Sequence, residues 1–253
     1  MLDRLAMTDL RLGRYQDVLA DVQADHAIFD APYSAITHSN FNAVTDAART
    51  DKANRNPINY AAWGQPEIAD AVAWCKEHVR GWVCSMTDFQ LSRPWYDALE
   101  AAGYYVFAPV AIVESGRSIR LVGDGPANWT IFMVVARPKT AAAKAWRALP
   151  GSYMVPTHRD KIPGGKTVRC MREIIRDYSN PGDTIVDICA GGGTTLLAAA
   201  IEQRKSIGAE MDPATFAAAQ ARLRERLSAP LVAGSLDMRE DGPLPVGMQE
   251  ALL

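Results

Sequence analysis

The run from 183 to 211 constrains this chain more than any other. An apolar strand over 183 to 188 passes into the turn Asp187-Ile188-Cys189-Ala190-Gly191-Gly192-Gly193, a helix follows over 194 to 204, and a second strand over 206 to 211 ends near Glu210. Strand, glycine-rich turn, helix and strand in that order make a βαβ unit, with parallel strands and a right-handed crossover. Earlier in the chain His26-Ala27-Ile28-Phe29 forms another apolar strand, closed by Asp30-Ala31-Pro32-Tyr33. Further strand signals lie near 9 to 13, 81 to 86, 104 to 113 and 129 to 137, and helical patterns near 66 to 79, 93 to 102, 140 to 148, 166 to 179 and 213 to 227. This alternation predicts an α/β fold, a mostly parallel sheet covered on both faces. Such sheets bind ligands beyond the carboxyl ends of their strands, where both turns belong.

Two segments resist the scheme. Residues 34 to 64 are rich in Asn, Thr, Ser and Arg, and residues 149 to 166 are punctuated by Pro150, Gly151, Pro156, Pro163, Gly164 and Gly165, so both read as long loops. Beyond about residue 229, Pro and Gly recur without periodicity, as in a frayed end. A chain of 253 residues, 48% apolar, can bury the core of one large domain or of a domain plus a small lobe. No run approaches the about 20 apolar residues of a membrane span, and the first ten residues lack a signal-peptide pattern, so a cytoplasmic protein is expected. Cys75, Cys84, Cys170 and Cys189 are dispersed, as are His26, His38, His78 and His158, which implies neither a metal site nor a disulfide framework.

The formal net charge of −2 hides a local basic excess. Arg137, Lys139, Lys144, Arg147, Arg159, Lys161, Lys166, Arg169, Arg172 and Arg176 face only Asp160, Glu173 and Asp177 within the same stretch. That suits either a polyanion bound at one face or a solvated helix surface.

In the 183 to 211 unit, glycines let backbone approach a ligand, the helix start near Thr194 offers amide donors, and the Glu210 carboxylate can hold two ribose hydroxyls. A nicotinamide or flavin dinucleotide calls for GxGxxG, whereas Gly191 and Gly193 are followed by Leu196 at the third position. The Asp30 turn supplies complementary parts. The carboxylate can accept hydrogen bonds beyond the sheet edge, Pro32 stiffens the turn and leaves carbonyls free, and Tyr33 offers a flat face. Together these fit a planar base with an exocyclic amino group, flipped out of its duplex and stacked on Tyr33.

With these residues set out, the chain resembles the DNA amino-methyltransferases of the permuted β group, in which a [DNS]PP[YF] catalytic motif precedes an FxGxG cofactor motif. Asp30-Ala31-Pro32-Tyr33 and Cys189-Ala190-Gly191-Gly192-Gly193 stand in those places. Gly165-Lys166-Thr167, Tyr178-Ser179-Asn180-Pro181-Gly182-Asp183, Gly193-Thr194-Thr195 and Ile207-Gly208-Ala209-Glu210-Met211-Asp212 extend the likeness. Val122-Gly123-Asp124-Gly125-Pro126 with Trp129, and Gly81-Trp82-Val83, are similar to phage or prophage members. The chain departs from the pattern at Ala31, at Ile188-Cys189, at Thr167 and at Arg14, where an acid is usual; Gln16 and Asp17 are the nearby alternatives for holding the cofactor adenine.

The resemblance implies a Rossmann-like class I methyltransferase fold with circularly permuted motif order, using S-adenosylmethionine on DNA, with no metal and no membrane, as monomer or homodimer. It implies one domain over 1–228, with a catalytic half at 1–137, a basic linker or short recognition region at 138–165 and a cofactor half at 166–228, followed by a tail at 229–253. Asp30, Pro32 and Tyr33 become catalytic. Asp30, Lys166, Thr167, Asp187, Cys189, Ala190, Gly191, Gly193, Thr194, Thr195, Glu210 and Met211 become cofactor residues, with Lys166 facing the methionine carboxylate. Lys144, Arg147, Arg159 and Lys161 become DNA contacts. Asp at the first motif position is commoner among adenine enzymes, so N6 of adenine is expected, with N4 of cytosine the alternative. A nicotinamide-dependent oxidoreductase would explain the glycine turn and Glu210 but leave the Asp30 turn without a task, whereas a catalytically silent DNA-binding protein would explain the basic stretch and the departures from the pattern.

Overall fold

The computed structural model describes residues 4–39, 60–115, 130–140, 148–156 and 166–228. Their centre is one sheet of strands β1 (Thr8–Leu12), β2 (His26–Asp30), β3 (Val83–Thr87), β4 (Tyr105–Val106), β5 (Val110–Ser115), β6 (Thr130–Arg137), β7 (Ser152–Pro156), β8 (Thr184–Asp187) and β9 (Lys205–Glu210). The order across the sheet is β1-β9-β8-β2-β3-β6-β5-β7, with β4 on β6. The five strands from β1 to β3 are mutually parallel, β6 runs antiparallel to β3 and β5, and β7 is parallel to β5. The β8–β9 unit therefore enters between β1 and β2, and a late segment of the chain completes a sheet begun by an early one.

Alternation along the strands divides the core into two layers. Ala27, Phe29, Val83 and Val134 pack with Ile68 and Trp74 of α2 (Gln65–His78) and with Leu91, Trp95 and Leu99 of α3 (Phe89–Ala101). Ile28, Cys84, Met86 and Met133 face the opposite layer of α4 (Val168–Tyr178), α5 (Thr194–Ile201) and α6 (Pro213–Ser228). A short α1 (Tyr15–Val18) follows β1.

Helix starts follow from local chemistry. Gly64 N–H donates to Glu67 Oε2 at 2.9 Å at the start of α2, and the Asp88 carboxylate accepts from Leu91 N–H at 3.0 Å at the start of α3. Asp88 explains why α3 begins at Phe89 rather than near 93, with Pro94 inside the helix. In α4, Val168, Met171, Ile174, Ile175 and Tyr178 make one buried stripe. Gly208 is demanded by packing, since a Cβ there would lie 2.9 Å from Leu196 Cδ1 of α5 and 3.0 Å from Ala190 Cβ.

Two expectations from sequence are corrected. The strand over 104 to 113 is two strands, β4 and β5, split around Pro109. The long loop over 149 to 166 contains β7, whose alternation is plain in three dimensions: Tyr153 and Val155 are buried and Met154 is exposed. Gly151 and Pro156 mask the strand in sequence, but the sheet edge tolerates proline, and Tyr153 OH donates to Asp177 Oδ2 of α4 at 2.7 Å. The helix expected over 140 to 148 falls almost wholly outside the described residues.

Candidate active site

Parallel pairing of β2 with β8, in register at Ala27 and Val186, carries Asp30 and Asp187 to the same carboxyl edge. There the two turns come within electrostatic reach of each other, since Asp187 feels the charges of both Asp30 and Glu210.

On the β2 side, the Asp30 carboxylate is held at both oxygens. Lys166 Nζ donates to Asp30 Oδ2 at 2.7 Å, and Tyr33 OH donates to Asp30 Oδ1 at 3.0 Å. The ammonium also donates to Tyr33 OH at 2.8 Å and lies 5.2 Å from the centre of its ring. Burial pulls the Lys166 pKa down, but the attraction of Asp30, followed by Tyr33 and Glu114, more than offsets it and the net direction is up. The Tyr33 hydroxyl is also shifted up, first by burial and then by the Asp30 charge. The backbone of this turn is pinned as well. Trp63 N–H donates to Tyr33 O at 3.1 Å, while Asp88 Oδ2 accepts from Ser34 N–H at 2.9 Å, Ser34 Oγ at 2.6 Å and Thr37 Oγ1 at 2.5 Å.

On the β8–β9 side, Cys189 N–H donates to Asp187 Oδ1 at 3.0 Å, and the turn closes through Gly193 N–H to Ala190 O at 2.8 Å. Gly191 and Gly193 both have positive φ, +50° and +75°, and a Cβ on Gly191 would meet nothing nearer than Cys189 O at 3.9 Å, so bare backbone faces open space there. The Glu210 carboxylate takes Gly191 N–H on Oε2 at 3.0 Å and Asp212 N–H on Oε1 at 2.8 Å, which fixes its plane. Its pKa is nonetheless raised, by burial above all. Asp187 is buried more deeply, and desolvation lifts its carboxyl from 3.8 to about 7 against hydrogen bonds from Thr195 and Cys189.

Some of the expected side chains are engaged elsewhere. Thr167 caps α4 by accepting from Cys170 N–H at 3.2 Å, and Thr194 Oγ1 accepts from Arg222 at 2.9 Å. Arg222 also donates to Gly192 O at 3.0 Å, so α6 braces the glycine turn. Thr195 and Ala190 are buried, Cys189 is half-buried, and Met211 is exposed beyond β9. Arg14 and Asp17 are exposed beside α1, with Gln16 half-buried and Tyr15 buried between them. Lys166 itself contacts the Asp30 turn.

Lys144, Arg147, Arg159 and Lys161 lie outside the described residues. The described part of the basic run is not one open patch: Lys166 is buried, Arg172 pairs with Glu202 at 2.6 Å, and Arg169 pairs with Glu173 at 3.2 Å.

The sequence reading missed two contributors, Asp88 and Arg222, because each acts through a partner distant in the chain. Among the described residues no group of three or more His, Cys, Asp or Glu could hold a metal ion, and no helix is long and apolar enough to cross a membrane.

Residues 134–221 match the family model for DNA methylases. No curated protein matches the chain. Among solved structures, the M1.HpyAVI complex with SAM superposes with a TM-score of 0.63 at 21% identity, covering 85% of this chain and 99% of that one. TTHA0409 from Thermus thermophilus, complexed with S-adenosyl-L-methionine, gives 0.62 at 16% identity, covering 88% and 97%. The cytosine-N4-specific PvuII DNA methyltransferase gives 0.58 at 13%, covering 87% and 91%. At these identities the likeness establishes the fold, which is that of the class I S-adenosylmethionine-dependent methyltransferases.

Proposed function

We propose that this protein is a DNA amino-methyltransferase that uses S-adenosylmethionine and acts on N6 of adenine within a short or relaxed recognition sequence. The observation that carries the reading is the convergence of the Asp30 turn and the Gly191–Gly193 turn on one edge through the β2–β8 pairing. The match of residues 134–221 to DNA methylases and the DNA methyltransferases among the structural neighbours support it.

These residues fit the cofactor. Glu210, oriented by two backbone N–H groups, retains lone pairs for ribose hydroxyls, and Gly191 presents bare backbone. Asp30 and Glu210 both lie within electrostatic reach of Asp187 on this edge. When bound, S-adenosylmethionine supplies an electrophilic methyl group. The chain's own residues prepare the acceptor. An aromatic amine is a poor nucleophile because its lone pair is delocalised, and hydrogen bonds from the amino group to Asp30 and the Pro32 carbonyl localise that pair and favour a pyramidal nitrogen. This is electrostatic stabilisation with positioning, without a covalent enzyme intermediate. Tyr33 gives the base a face to stack on.

Adenine is favoured by Asp30 at the first motif position. The short stretch between β6 and Lys166 leaves few side chains for reading base edges, hence the relaxed sequence requirement. The test is incubation of the full chain with S-adenosylmethionine and unmethylated plasmid, followed by nucleoside mass spectrometry. N6-methyladenine is expected. N4-methylcytosine alone would overturn the base assignment, and no methylated nucleoside would overturn the reading. A second expectation concerns Glu210→Ala, which should weaken S-adenosylhomocysteine binding by about 1 to 3 kcal/mol, the cost of removing a charged hydrogen-bond partner. Calorimetric titration of the folded variant checks it, and unchanged affinity would remove Glu210 from the ribose site.

A further inference from the structure

We propose that Lys166 is a positioning residue for the catalytic turn, acting on Asp30 and Tyr33 rather than on the cofactor's carboxylate; this rests on the methyltransferase reading above. An aspartate carboxylate turns readily about its last torsion. Here one oxygen is tied to the Lys166 ammonium at 2.7 Å and the other to Tyr33 OH at 3.0 Å, while ammonium and hydroxyl are joined at 2.8 Å. The three groups form a closed ring that fixes the plane of the acceptor and the tilt of the stacking face together.

Two further observations make the ring more than a surface ion pair. Lys166 is only 4% exposed, and the ammonium lies 5.2 Å from the Tyr33 ring centre. Lys166 also comes from the far side of the sequence, at the entry to α4, so it joins the cofactor half of the chain to the Asp30 turn. Glu114 of β5, buried on the same side, adds attraction for the ammonium. A lysine that served only the cofactor's carboxylate would have no need to bridge Asp30 and Tyr33 in this way.

The test uses Lys166→Met, which keeps much of the buried stem and removes the charge. If Lys166 positions the turn, kcat for DNA methylation falls about ten- to a hundredfold, as expected for a misplaced catalytic group, while the Kd for S-adenosylhomocysteine stays within about threefold of the parent. The losses from Lys166→Met and Tyr33→Phe should also combine less than multiplicatively, because both break one ring. Independently of activity, 15N spectra of lysine-labelled, ligand-free protein should show one slowly exchanging ammonium signal, absent from Lys166→Met and displaced in Asp30→Asn. A large loss of S-adenosylhomocysteine affinity with unchanged kcat would return Lys166 to the cofactor carboxylate and overturn the proposal. Fully multiplicative losses with Tyr33→Phe, or an ammonium signal indifferent to Asp30→Asn, would also overturn it. Absence of turnover by the parent protein would instead defeat the methyltransferase reading, with the ammonium signal still reporting on the ring.

Discussion

Asp30→Asn should cut methyl transfer by on the order of a hundred- to a thousandfold, the loss found when one preorganised group facing developing charge is removed from an active site. An amide in place of the carboxylate keeps the shape but gives up the negative charge that strengthens its hydrogen bond as the amino nitrogen becomes positive. The structure adds a cost that the sequence did not suggest. Asp30 is a partner of Lys166, whose side chain is 4% exposed, so the variant removes the carboxylate that holds a buried ammonium and leaves Tyr33 and Glu114 to attract it. Breaking a buried pair costs about 3 to 5 kcal/mol. Since the Asp30 side chain keeps a quarter of its exposure, a loss of stability of about 2 kcal/mol is more reasonable. Stability must therefore be measured beside turnover in any Asp30 variant. Pairing Asp30→Asn with Lys166→Met should restore much of the stability and none of the turnover. Denaturant titration and single-turnover assays on the three variants measure the two effects separately, and near-parental turnover by either Asp30 variant would end its catalytic assignment.

The Asp30–Lys166 pair marks the boundary of what the chain discloses before it is folded. The βαβ unit ending at Glu210 and the strand ending at Asp30 were readable because each signal is local: an apolar run, a turn chemistry and a helix start within a few residues. Their meeting at one edge followed from the general rule for parallel sheets. The insertion of β8 and β9 between β1 and β2 is consistent with the permuted motif order. What escaped was long-range. Lys166 was legible as a motif residue but not as the partner of Asp30. Nothing around Asp88 announces that it ties down Ser34 and Thr37, and nothing around Arg222 announces that it braces Gly192. Formal charge along a sequence cannot separate an open basic face from internal pairs, and here Arg172 turns inward to Glu202 and Lys166 to Asp30. Strand β7 was hidden for another reason: turn-forming residues at its ends outweighed a short alternation that only the neighbouring β5 makes decisive.

Asp187 provides the second large effect, and its sign runs against the usual behaviour of protein carboxylates. Its carboxyl is lifted from 3.8 to about 7, principally by burial, with Thr195 and Cys189 opposing and the charges of Asp30 and Glu210 adding to the rise. A carboxyl whose folded pKa is raised binds its proton more tightly in the folded state. The stability linked to that proton is complete below the unfolded value near 3.8 and is lost as pH climbs through about 7. At 1.36 kcal/mol per unit the full swing is about 4 kcal/mol, an order-of-magnitude ceiling. His26 acts in the opposite direction, because burial lowers its pKa and Trp82 N–H already donates to its Nδ1 at 3.0 Å, so acidification below about 6.5 costs stability there. The parent's pH profile mixes these two with Glu210 and other shifted groups, and the difference between parent and Asp187→Asn isolates one. Asparagine can still accept the Cys189 N–H bond, so the variant should match the parent near pH 4 and exceed it by about 2 to 4 kcal/mol at pH 8, where the parent carries a desolvated anion. Urea denaturation of ligand-free protein across that range reads the difference directly. Parallel stability curves for the two proteins would mean that Asp187 is already ionised throughout, and that the base of the cofactor turn tolerates its charge without a folding penalty.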